Sequence, residues 1–439
     1  MIGGVSNDTR TIKAGDLYIA IKGARFDGHA FIADALAKGA CGALVSEVVS
    51  GLTAPMLVVP DTHKALMQVA QKYRRKIGLR IIAVTGSAGK STVKEMTAQV
   101  LAGGFRTAAT RGNWNNDIGL PLSLLAMSEN TELGVFEIGM NHPGEISALC
   151  RVLEPDWGVV TNVGPVHIEF FDSVEAIAEE KANLFRALPQ DGIAVIEHDG
   201  KFRDILRKAA GTRKIISVSM ADRQADYYVV RRNADGLCEI CERLSGETSA
   251  IILGQPGDFS ICNALMAVAV ARSMGLGWDQ IRGALEVFRP MPMRWQVSEC
   301  AGVRLINDSY NANPLSMSAA ITTFSGMQGV GRKIMVLAGM LELGVNANEE
   351  HRKIGSLSAG SGIDFLVTVG ELGRVIAGAA VDAGMDASRV ITCGSNGDAL
   401  GELSGLAKPG DTILFKGSRG MKLEQIISGF EQLFVGQAG

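Results

Sequence analysis

The stretch "AVTGSAGKST", Ala83 to Thr92, ends as a phosphate-binding loop ends, in Gly-Lys-Ser-Thr. The longer G-x-x-x-x-G-K-[ST] spacing would place a glycine where Val84 stands. Context weighs more than spacing here. "RIIAV" before it reads as a buried strand and Lys90 onward as a helix, so the glycines fall in a strand-to-helix turn. Backbone N–H groups of such a turn point at an anion, and the helix N-terminus adds partial positive charge. Thr85, Gly86, Ser87, Ala88, Gly89, Lys90, Ser91 and Thr92 are therefore expected to bind a nucleotide. Lys90 would neutralise phosphate oxygens and the Ser91 hydroxyl would ligate Mg²⁺. A plain glycine-rich turn with an exposed lysine is the structural alternative.

Outward from the loop, strand and helix patterns alternate: "RIIAV", "KSTVKEMTAQVLAGG", "LGVFEIG", "ISALCRVL", "WGVVTNV", "VEAIAEEKANLFRAL". Parallel strands joined by crossover helices are expected. A polar alternating stretch at 214–252 predicts an antiparallel insertion. A further strand and helix cycle begins after Arg294. The fold class is thus α/β with three domains: a small α/β domain over 1–78, a central P-loop ATPase domain with a mostly parallel sheet over 79–298, and a Rossmann-like domain over 299–439.

Of the 439 residues, 47% are hydrophobic and 20% charged, which is globular composition, and the net charge is −3. The basic cluster "YRRKIGLR" at 73–80 reads as the solvated end of a helix, so nucleic-acid binding is not expected. No apolar run is long enough to span a membrane and the N-terminus has no export pattern. A cytoplasmic chain, expected to be a monomer, follows. Seven scattered cysteines do not suggest a disulfide framework, and Cys238-x-x-Cys241 lies in an alternating stretch that suits a strand.

Open parallel sheets bind ligands at the carboxyl ends of their strands. There the sequence supplies Glu137 in "LGVFEIGMN" and Thr161-Asn162 with His167 in "WGVVTNVGPVHIEF". Each alone suits a structural role; together beside a phosphate loop they suggest a metal site. Lys181 falls on the apolar face of "SVEAIAEEKANLFRAL". Such a lysine snorkels, pairs with an acid or is chemically altered, and the pattern alone favours snorkelling or pairing.

These segments resemble the Mur ligase family of ATP-dependent amide-bond-forming enzymes. The resemblance rests on "TGSAGKST", "GNWNNDIGLPLSLL" (112–125), "FEIGMNHPGEI" (136–146), "TNVGPVHIEFF" (161–171) and "EEKANLF" (179–185), in family order, and extends over nearly the whole chain. "SNDTRTIKAGDLYIAIKGARFDGHAFIADAL" is similar to a uridine-diphosphate-binding module, while "NDSYNANPLSMSAAI" (307–321) and "FKGSRGMKLEQII" (415–427) are similar to C-terminal motifs of members that join D-alanyl-D-alanine to UDP-N-acetylmuramoyl-tripeptide. The D-N-P-R motif of diaminopimelate-adding members is absent.

The resemblance implies ATP and two Mg²⁺ ions as cofactors, with Ser91, Glu137, His167 and a carbamylated Lys181 around the metal. It implies Lys90, His167 and Lys181 as catalytic residues, and Asn263, Arg294 and Asp308 as further ATP contacts. Thr9, Arg10, Asp27, Asn116, Asn311, Lys416 and Ser418 are implied to bind substrate. Three departures bear on closure: no glycine before Arg294 in "MPMRWQ", Asn307 where aspartate is common, and Ala338-Gly339 where Gly-Asp often precedes Met340. The chain also starts close to "SNDTR", where members carry further upstream residues, so uridine binding is expected to be affected. The rival readings are another amino-acid-adding ligase, folylpolyglutamate synthases included, and a nucleotide-dependent regulatory protein; intact Lys90, Glu137, His167 and Lys181 oppose the latter.

Overall fold

The computed structural model describes residues 2–23, 26–233, 236–328 and 331–435. Among these, the strands form three sheets. The first is a parallel four-stranded sheet of Gly4–Ser6, Asp16–Ile19, Gly42–Val45 and Met56–Val58. Its helix Thr62–Ile77 is capped by Asp61, whose carboxylate accepts from Lys64 N–H, and stops at Gly78, which takes the left-handed φ of 62° that ends helices cheaply only in glycine.

That helix belongs spatially to the next domain as well. Arg74 donates to the carbonyls of Leu153 (2.9 Å) and Glu154 (2.6 Å), Gln71 donates to Arg151 O at 2.6 Å, and Arg75 pairs with Glu154. The basic cluster is therefore a clamp onto the helix Glu145–Leu153, not a freely solvated end. Charge pattern marked the cluster but could not reveal the carbonyls it reaches.

The second sheet has nine strands in the order Thr248–Ile252, Leu237–Glu242, Tyr227–Arg232, Lys214–Ser219, Ile193–Glu197, Trp157–Val160, Arg80–Thr85, Leu133–Glu137, Thr107–Ala109. Ile81 to Val84 are fully buried, as expected for a strand covered on both faces. The expected antiparallel insertion at 214–252 is only partly so. Lys214–Ser219 continues the parallel ladder beside Ile193–Glu197, and the antiparallel pairing is confined to the three strands beyond it. Four consecutive buried residues, Ile216 to Ser219, mark that strand as interior despite its two serines. Cys238 and Cys241 lie in the strand Leu237–Glu242, where a spacing of three turns them to opposite faces.

The third sheet has six strands in the order Gln296–Cys300, Val303–Asn307, Thr412–Lys416, Lys333–Ala338, Phe365–Val369, Val390–Cys393. Only its first pair is antiparallel. The sheet begins at Gln296, so residue 298 lies inside its edge strand. Among the described residues no helix is long and apolar enough to cross a membrane.

In the second sheet the chain runs from Arg80–Thr85 to one edge, returns, and resumes on the other side at Trp157–Val160. The switch places a crevice at the carboxyl end of Arg80–Thr85, where the glycine-rich loop begins.

Candidate active site

Val84 is inside the ladder, in register with Glu137 on one side and Val159 on the other. The position that a longer loop would give to glycine is thus strand, and the turn proper starts at Gly86. Gly86 has φ 150° and Gly89 φ 82°. A Cβ on Gly86 would stand 1.9 Å from Thr161 Oγ1, and one on Gly89 2.4 Å from Asn263 Oδ1. Both glycines are required by close approach and by a positive φ that L side chains rarely adopt.

The turn is stapled to the segment after Trp157–Val160. Thr161 Oγ1 donates to Ala88 O at 2.6 Å, Asn162 Oδ1 accepts from Ala88 N–H at 2.9 Å, and Asn162 O accepts from Ser87 N–H at 3.0 Å. The Ser87 hydroxyl both donates to Gly164 O and accepts from its N–H. The result is a preorganised cradle at the N-terminus of the helix Lys90–Leu101. Lys90 Nζ donates to Gly86 O at 3.0 Å. Desolvation lowers its pKa, Glu137 opposes that shift, and Arg294 adds to it.

Glu137 ends the neighbouring strand, 2% exposed. Its Oε1 accepts from Asn115 Nδ2 at 2.7 Å, while Oε2 is buried without a partner. An orphaned carboxylate oxygen in the same cleft lining as a hydroxyl, Ser91 Oγ, is donor chemistry that a hard divalent cation takes. Among the described residues, no three His, Cys, Asp or Glu side chains converge as a ready-made cage. Glu137 and Ser91 supply donors that fit such a cation. His167 adopts a left-handed φ of 53°, and its Nδ1 lies 2.5 Å from Glu342 Oε2 of the C-terminal domain, at ion-pair distance. The imidazole holds the Glu342 carboxyl below its usual range.

Lys181 neither snorkels nor pairs. It is 1% exposed and, among the described residues, makes no hydrogen bond or salt bridge. The adjacent Glu180 is engaged by Ile146 N–H and Asn183. Burial, reinforced by the nearby charge of Lys90, drives the Lys181 pKa well down. The periodic pattern placed the residue on the buried face, where, among the described residues, it has neither of the partners that the pattern favoured.

A cleft of about 960 Å³ opens over the loop. It is lined by Lys90, Ser91, Glu137, His167, Asn263, Arg294 and Asp308, and by Asn116, Asn311 and Lys416 from the expected substrate set. Arg294 Nη2 donates to Ser91 Oγ at 2.8 Å, and its guanidinium lies 4.2 Å from the centre of the Tyr310 ring. Asp308 pairs with Lys416 at 2.6 Å and accepts from Trp295 N–H at 3.2 Å. Asn116 caps a helix through Gly119 N–H, and Asn311 O accepts from Lys416. Ser418 lies instead in a smaller adjoining cavity of about 220 Å³, bonded to Leu341 N–H.

The N-terminal candidates do not line either space. Arg10 forms an exposed fork with Asp8, Thr9 bonds the Asp34 carboxylate, and Asp27 accepts from the N–H and Nδ1 of His29. Asn115, which holds Glu137, and Asn313, whose Nδ2 donates to Ser87 O at 3.1 Å across the cleft, escaped the sequence reading. Their signal was the density of asparagines in "NWNND" and "YNANP".

Comparison with known proteins agrees with this arrangement. Three family profiles match in order: the Mur ligase family catalytic domain over 1–74, the Mur ligase middle domain over 84–271, and the Mur ligase glutamate ligase domain over 293–419. The UDP-N-acetylmuramoyl-tripeptide--D-alanyl-D-alanine ligase of Bacillus subtilis is 36% identical over 97% of this chain and 93% of its own length; that of Escherichia coli is 32% identical over 98% and 93%. A crystal structure of MurF from Acinetobacter baumannii superposes with TM-score 0.89 at 30% identity, covering 98% of this chain and 94% of its own. The MurF ligase of Thermotoga maritima in complex with ADP does so with TM-score 0.87 at 26% identity, covering 99% of each. With likeness of this depth running through all three sheets and the stapled loop between them, the chain belongs to the Mur ligase family.

Proposed function

We propose that the chain is a cytoplasmic ATP-dependent ligase that joins D-alanyl-D-alanine to UDP-N-acetylmuramoyl-tripeptide in peptidoglycan precursor synthesis. The observation that carries the reading is one cleft lined both by the phosphate loop and by Asp308, Asn311 and Lys416 of the third sheet's domain, in a chain similar throughout its length to ligases of that name. With the second boundary moved ahead of the edge strand that starts at Gln296, the three domains give uridine nucleotide, ATP and acceptor dipeptide one domain each.

A carboxylate is a poor acylating agent. The tripeptide's terminal carboxylate attacks the γ-phosphorus of ATP, the bond to the bridging oxygen breaks, and ADP leaves an acyl phosphate. The dipeptide amine then attacks the acyl carbon, and the tetrahedral oxyanion collapses with loss of phosphate and a proton. Lys90 and the helix N-terminus hold the phosphates and spread their charge, and Arg294 closes on the same oxygens from the far wall. Ser91 and Glu137, with His167 in the same cleft lining, would hold Mg²⁺, which would supply further charge screening between carboxylate and triphosphate. Asn263, against Gly89, contacts the nucleoside end. Thr9, Arg10 and Asp27 serve the uridine nucleotide away from the cleft, and Asn116, Asn311, Lys416 and Ser418 its peptide and the acceptor.

Lys181 is assigned as a carbamate. Burial that disfavours the ammonium form makes the amine a better nucleophile for CO₂: a C–N bond forms, a proton leaves, and the site gains a carboxylate where an ammonium could ligate nothing.

The test is phosphate release with defined substrate pairs. It is expected with UDP-muramoyl-tripeptide plus D-alanyl-D-alanine. Release only with UDP-muramoyl-dipeptide plus a diamino acid refutes the acceptor assignment, and release with neither pair refutes the ligase reading.

A further inference from the structure

Lys94 is 0% exposed and lies outside the cleft lining, one turn beyond Lys90 on the helix Lys90–Leu101. Burying a lysine is costly unless its donors are matched. Here Nζ donates to Thr110 O at 2.6 Å and Gly112 O at 3.2 Å, and pairs with Glu95 at 2.6 Å. The two carbonyls belong to the segment that leaves the edge strand Thr107–Ala109 and runs to Asn115.

That segment holds Glu137 at two points. The Thr110 hydroxyl accepts from Glu137 N–H at 3.0 Å, and Asn115 Nδ2 donates to Glu137 Oε1 at 2.7 Å. Asn115 O also accepts from Gly139 N–H at 2.9 Å. A helix packed behind the phosphate loop is thus tied, through Lys94, to the backbone that aims the one buried carboxylate of the cleft. The orientation leaves Oε2 without a protein partner.

We infer that Lys94 is a positioning residue: by fixing the Thr110 and Gly112 carbonyls it sets the direction of the Glu137 carboxylate, and so the strength with which a divalent cation supports nucleotide binding. A lysine placed only to fill the core would affect stability alone. The inference rests on the proposed cation role of Glu137.

The experiment compares ADP affinity with and without Mg²⁺, by calorimetry on the full chain, for the parent, Glu137→Gln, Lys94→Met and Thr110→Val. In the parent, Mg²⁺ tightens ADP. Lys94→Met and Thr110→Val are expected to lose about tenfold of that tightening, about 1.4 kcal/mol, with metal-free ADP affinity within about twofold, the scale of an interaction outside the phosphate contacts. Should Lys94→Met fail to fold, Thr110→Val breaks the next link in the chain and decides alone. Loss of the Mg²⁺ effect in Glu137→Gln but not in the variants that fold overturns the positioning role and leaves the cation site standing. An unchanged effect in Glu137→Gln overturns both.

Discussion

Gly86→Ala isolates the geometry on which the phosphate loop depends. The added Cβ would meet Thr161 Oγ1 at 1.9 Å, Thr161 Cβ at 3.1 Å and Thr161 N at 3.2 Å. The first contact is impossible, so the Thr161 side chain or the loop must move. Turning Thr161 off its rotamer costs about 0.5–1.5 kcal/mol, and losing its hydrogen bond to Ala88 O about as much again. Placing alanine at a φ that glycine prefers adds about 1 kcal/mol. Gly78→Ala is the control, since Gly78 also has positive φ but nothing within 4 Å of its Cβ position.

Because the hydrogen bond that is lost is one of those that staple the loop, the extra strain should surface as weaker nucleotide binding. ADP affinity measured by calorimetry is expected to fall at least tenfold in Gly86→Ala, corresponding to about 1.4 kcal/mol, and to be unchanged in Gly78→Ala. Adding Thr161→Ala removes the colliding oxygen, so the double variant should bind ADP better than the sum of the two single losses allows, with a coupling of about 1 kcal/mol. Equal affinities for the Gly86 and Gly78 variants, or strict additivity with Thr161→Ala, would refute the reasoning.

Two further outcomes are expected. Protein equilibrated with ¹³C-bicarbonate should show a carbamate carbon signal that vanishes in Lys181→Met; since lowering the pH protonates the depressed-pKa amine, the signal should fade on acidification, and its persistence in Lys181→Met would assign it elsewhere. Arg294→Ala removes a hydrogen bond to Ser91 and a ring contact with Tyr310, about 1–3 kcal/mol together, so KM for ATP should rise about tenfold; an unchanged KM would leave Arg294 a purely structural link between domains.

What the sequence disclosed follows the range of the forces involved. Local pattern announced the strand, turn and helix around Gly86 to Lys90, and strand-end polarity announced Glu137, because both depend on neighbours in the chain. Lys181 was located by helical spacing, but its isolation depends on Glu180 being engaged by Ile146 N–H and Asn183. Contacts formed across the fold left weaker traces. Glu342 reaches His167 from another domain, and Asn313 reaches Ser87 O over 226 residues of separation. The departures from family pattern also find their account only in three dimensions. Met293 takes φ 62°, the conformation a glycine before Arg294 would supply freely, and Asn307 Oδ1 accepts from both the hydroxyl and N–H of Ser309 as an aspartate would.

The distribution of charge along the cleft bears on how two unlike partners share it. At the loop, Lys90 and Arg294 face Glu137, an excess of cation before any metal binds. At the C-terminal wall, Lys416 is neutralised by Asp308 at 2.6 Å. A triphosphate is therefore drawn to one end, while an incoming amine meets a wall whose lysine is already paired and repels it little. Had Asp308 been absent, Lys416 would extend the phosphate field across the whole cleft and oppose the acceptor. The pair thus separates a site for anions from a site for an amine within one cavity, which the proposed reaction requires.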